Sequence, residues 1–115
     1  MAFDSESTED NWQELRQKLF PLVGRKPDLN AVLFLIGIQE LGQGPKTYSK
    51  EEKQDLMHIA TCKLLSQIGY FELESLDNEG WPHWKAVANV PYQPLRDQEQ
   101  MLKEQAVEYF KDIIN

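Results

Sequence analysis

The chain has a single cysteine, Cys62. No internal disulfide can form, and a reducing compartment, the cytoplasm, is the expected home. Only two histidines are present, His58 and His83, too few for the usual spaced zinc-ligand patterns. Basic residues are scarce as well. Twelve Lys and Arg stand against nineteen Asp and Glu, a net charge of −7, and no basic run exceeds Arg25-Lys26. The footprint that binds phosphate backbones is therefore missing, and neither nucleic acid nor an anionic membrane is an expected partner. Long apolar runs are absent too: the longest is 31–38, far below the ~18 residues of a membrane span. The beginning of the chain is acidic and polar, the opposite of a secretion signal. The glycines form no phosphate-binding loop, since Gly42-Gln43-Gly44-Pro45-Lys46 lacks the required spacing and preceding strand. Asp77-Asn78-Glu79-Gly80 does not complete a calcium loop, and hydrolase and kinase signatures are missing. No cofactor is expected.

What remains is an ordinary globular composition of 115 residues, 41% hydrophobic and 27% charged, enough for one core. Residues 1–10 carry Asp4, Glu6, Glu9 and Asp10 with no base, which predicts a disordered acidic tail before a single globular domain over 11–115. Trp12, Leu15 and Leu19 recur at helical spacing, predicting a first helix over about 11–19, closed by Pro21 and Gly24. Asp28 can cap a second helix over 29–41, ended by Gly42. That helix, with Val32, Leu33, Phe34, Leu35, Ile36 and Ile38, has almost no polar face and must be covered all round. A second copy of the chain would be one way to cover it, so a homodimer is a possible assembly.

Ser49 followed by Glu52 fits a capping box, and Leu56, Met57, Ala60, Leu64 and Ile68 share one arc of a third helix that stops at Gly69. The pattern then shifts to strand-like alternation at 70–76 and again at 84–87, with turn formers at 77–80, predicting a β-hairpin over about 70–88. Pro91 and Pro94 precede a last helix from Leu95 to Ile114. The expected fold is α+β and predominantly helical, about four helices around a buried second helix with one hairpin.

The most distinctive segment is Trp81-Pro82-His83-Trp84, read as a rigid aromatic turn. Tryptophan gives much contact area for little rotamer entropy and is enriched in binding hot spots. The alternative is that both rings fold back over the helices and close the core, as most aromatics at a sheet end do. His58 and Cys62, four apart on the third helix, could form an activated thiol pair. With His83 they could also supply three metal ligands if the hairpin lay over that helix. A small buried cysteine beside a half-exposed histidine needs no such role.

The stretches Leu35-Ile36-Gly37-Ile38-Gln39-Glu40-Leu41-Gly42, Ser49-Lys50-Glu51-Glu52-Lys53-Gln54-Asp55-Leu56-Met57-His58 and Gly80-Trp81-Pro82-His83-Trp84 resemble those of small hypothetical bacterial proteins, over about residues 28–112. That group carries no assigned activity, so the resemblance implies a bacterial source and no site. The residues themselves support three functional expectations. The first is a non-enzymatic protein-binding or regulatory module that uses the aromatic turn against another protein or itself. The second is a small metal-binding or thiol-dependent enzyme around His58, Cys62 and His83. The third is an acidic, antitoxin-like inhibitor that masks a basic partner.

Overall fold

The computed structural model describes residues 4–44 and 46–114, with side chains from residue 8 to residue 113. The elements are α1 (Asp4–Val23), α2 (Leu29–Leu41), α3 (Lys50–Ser66), β1 (Phe71–Leu76), β2 (Pro82–Ala86) and α4 (Leu95–Ile114). This is an α+β, predominantly helical protein with one two-stranded antiparallel hairpin. The chain forms two compact units, one containing α1 and α4, the other α2, α3 and the hairpin.

In the first unit α1 begins at Asp4, seven residues before its expected start. The segment expected to be a disordered tail is thus helical from residue 4 onward, and residues 1–3 lie outside the described residues. At the other end α1 runs through Pro21 to Val23. A proline so near the C-terminus removes one backbone bond and leaves the rest of the turn intact, and the Gly24 amide donates to Phe20 O at 2.7 Å. Trp12, Leu15 and Leu19 of α1 and Ala106, Tyr109 and Phe110 of α4 are buried. Tyr109 and Phe110 meet edge to face at 5.2 Å, and Lys103 Nζ lies 5.6 Å from the Trp12 ring centroid.

In the second unit α2 has its expected bounds and buries Val32, Leu33, Ile36, Gly37 and Leu41. Gly37 is the close-approach point: a Cβ there would overlap the backbone carbonyl of Leu56 on α3. The capping box of α3 is complete, with Glu52 N donating to Ser49 Oγ at 3.1 Å and Ser49 N to Glu52 Oε1 at 2.8 Å. After α3, Gly69 takes φ +88°, a left-handed conformation that side chains rarely adopt, and redirects the chain into β1. The Tyr70 amide then donates back to Leu65 O at 3.1 Å, tying the root of the hairpin to α3.

The hairpin pairs Phe71 with Ala86, Glu72 with Lys85, Leu73 with Trp84, Ser75 with His83 and Leu76 with Pro82. The register shifts between Leu73 and Ser75, so Glu74 is an extra, bulged residue on β1. Beneath the hairpin end, Leu41, Tyr48 and Leu56 form a buried cluster with Phe34, Ile38 and Trp81 packed on it. Phe34 meets Tyr48 edge to face at 6.1 Å.

Candidate functional site

Trp81, Pro82, His83 and Trp84 do not form a turn. Pro82, His83 and Trp84 belong to β2, and the reversal falls on 77–80. Asp77 is the reason. One carboxylate oxygen accepts from the amides of Glu79 and Trp81, each at 2.9 Å, and the other pairs with His83 Nε2 at 3.1 Å. Asp77 N donates to Trp81 O and Gly80 N to Asp77 O. A single side chain thus gathers the loop, as aspartate does in Asx turns. Proline then starts the return strand, a position where its missing N–H costs little. The hydrogen bonds to Trp81 N and His83, and to Glu79 N, hold the Asp77 carboxyl below its usual pKa, against a smaller desolvation effect.

The four residues part company in their burial. Trp81 is half-buried and packs on the Leu41–Tyr48–Leu56 cluster, while Gln43 Nε2 donates to Glu79 O at 2.7 Å and pins the loop beside it. Pro82 is half-buried and His83 is exposed. Trp84 is also half-buried, and its indole N–H is enclosed with no acceptor among the described residues. Covering the core therefore accounts for part of Trp81, and for none of His83.

Between α3 and the hairpin end lies an open groove of about 410 Å³. Its apolar part is Ile59, Trp81 and Pro82; His58 comes from α3 and His83 from β2. Four carboxylates complete the lining: Glu52, Asp55, Asp77 and Glu79. No lysine or arginine lines it. Glu52 and Asp77 are engaged by the capping box and the loop, whereas the Asp55 and Glu79 carboxylates have no partner among the described residues. Lys46, whose charge acts on Glu52, donates to Gln43 Oε1 at 2.8 Å with its Nζ 5.4 Å from the Tyr48 centroid.

Cys62 Sγ lies 3.6 Å from His58 Nε2. The thiol is 1% exposed, and burial pushes its pKa up, away from the thiolate a nucleophile requires. His83 is engaged with Asp77 instead of joining this pair. Among the described residues, no three His, Cys, Asp or Glu side chains are placed to hold a metal ion. No helix among them is long and apolar enough to cross a membrane.

Sequence reasoning found Trp81, Pro82, His83 and His58 but missed Ile59, Asp77 and Glu79 as their neighbours. Asp55 was visible three residues before His58 on one helix face. The approach of the hairpin to α3 is a tertiary fact with no local signal. No family model, curated protein or solved structure matches the chain.

Proposed function

We propose that this chain is a non-enzymatic protein-binding module and that the groove between α3 and the hairpin end is its contact surface. One observation carries the reading: Trp81 and Pro82, held by the Asp77 loop, share an open groove with His83, His58 and Ile59. A half-buried indole on a pre-ordered loop supplies contact area without the ordering cost that weakens flexible binders. The thiol-dependent reading draws no such support, because Cys62 is buried and its thiolate is disfavoured.

The test uses a variant that leaves the core alone. His58 and His83 are exposed, and the His83–Asp77 pair that the change gives up is a surface one that leaves the Asp77 bonds to Glu79 N and Trp81 N in place. His58→Ala with His83→Ala should therefore keep the far-UV spectrum and change the melting temperature little while weakening a captured partner by about tenfold, roughly 1.4 kcal/mol. Equal capture by variant and wild type contradicts the reading. Trp81→Ala is a poorer test, since it opens a cavity against Leu41, Tyr48 and Leu56.

A further inference from the structure

We infer that the groove takes a lysine or arginine side chain from an extended segment of the partner protein, with an apolar neighbour of that residue resting on Trp81, Pro82 and Ile59. The inference rests on the binding-module reading above and adds the chemistry of the occupant. It starts from the groove's shape and apolar part. The apolar part of the lining is Ile59, Trp81 and Pro82; with Ile59 only 5% exposed, Trp81 and Pro82 supply most of the apolar surface an entering side chain meets. The rim sets the sign of the charge. Its carboxylates come from both α3 and the loop, with no lysine or arginine in the lining.

The carboxylates divide by role. Glu52 and Asp77 are occupied in holding the helix start and the loop. Asp55 and Glu79 have no internal partner among the described residues, and substituting them removes no hydrogen bond of the fold. A guanidinium or ammonium group entering the groove meets opposite charge from both α3 and the loop, and an indole, whose face attracts cations. Anionic occupants meet the reverse: phosphate or an acidic peptide would enter against four carboxylates. A second copy is disfavoured by the same sign, since each chain carries −7.

The test titrates the full-length, ¹⁵N-labelled protein with three blocked peptides: Leu-Arg-Leu-Lys-Leu, the same peptide with citrulline and glutamine replacing Arg and Lys, and Leu-Glu-Leu-Glu-Leu. The expected result is saturable amide and indole shifts at residues 55–59 and 77–83 with the basic peptide. They should weaken at least about tenfold with the neutral one and vanish with the acidic one. Raising salt from about 0.1 M to about 1 M should weaken binding, because screening shortens from ~10 Å to ~3 Å. Asp55→Asn with Glu79→Gln should lose at least about tenfold in affinity at an unchanged melting temperature, with Asp55→Glu retaining it. Equal binding of basic and neutral peptides, shifts confined to another surface, or no binding by any peptide overturns the inference. The two levels separate with a native partner. Capture lost in the histidine variant but undiminished in Asp55→Asn/Glu79→Gln leaves the module reading standing and removes the cationic occupant.

Discussion

Asp77 determines the loop that the proposed contact surface depends on. Its carboxylate accepts from Glu79 N and Trp81 N and pairs with His83, and these bonds favour the charged form. The folded pKa lies below the ordinary 3.8. Such a group contributes fully above its unfolded value, and the contribution is lost as pH falls through the lower, folded value. Acidification below about pH 3.8 should therefore loosen the loop, read as faster hydrogen exchange at the Glu79 and Trp81 amides, and Asp77→Ala should produce that exchange at neutral pH. Unchanged exchange in the variant would contradict this role. At Gly37 two effects oppose each other. Alanine in a helix is ordinarily better than glycine by about 1 kcal/mol, but here its Cβ would overlap the Leu56 carbonyl, and overpacking costs about 1–3 kcal/mol. Gly37→Ala should destabilise in a urea titration; a stabilised variant would show the helices free to separate. Cys62 should react with a disulfide reagent slowly in the native protein and quickly once unfolded, because burial both shields the thiol and disfavours its thiolate.

At the scale of the elements, legibility followed the locality of the signal. Helices α2, α3 and α4 were readable because their caps and stops lie in the chain beside them: Ser49 with Glu52 before α3, the Gly42 amide closing on Ile38 O after α2, Pro94 before α4. Ser49→Ala should cost about 1 kcal/mol by removing the acceptor for Glu52 N, measured as a lower urea midpoint at unchanged slope. Helix α1 starts at Asp4, well before its expected bound near residue 11, because the only local start signal weighed was the apolar spacing that begins at Trp12. The start of β2 was misplaced because Pro82 and His83 sat next to turn formers, and the reach of the Asp77 side chain, with the backbone bonds between Asp77, Gly80 and Trp81, closes the reversal before them. Half of the candidate site was legible for the same reason. Trp81, Pro82 and His83 advertise themselves by composition, while Asp55, Ile59 and Glu79 become neighbours of that segment only when the hairpin folds toward α3.

For the whole molecule, the aromatic segment is neither purely core nor purely surface. Trp81 is shared between the cluster of Leu41, Tyr48 and Leu56 and the groove, so the fold and the proposed contact surface are coupled through one ring. A net charge of −7 would guide a basic partner toward the chain over distances beyond contact, raising association rates at low salt. The claim that the groove is where a partner binds is tested most directly by hydrogen-exchange mapping of the full chain with and without a captured partner. The account predicts added protection at 55–59 and 77–83, with the amides of α1 and α4 unchanged. Protection confined to α1 and α4, with residues 77–83 exchanging as in the free protein, would contradict it.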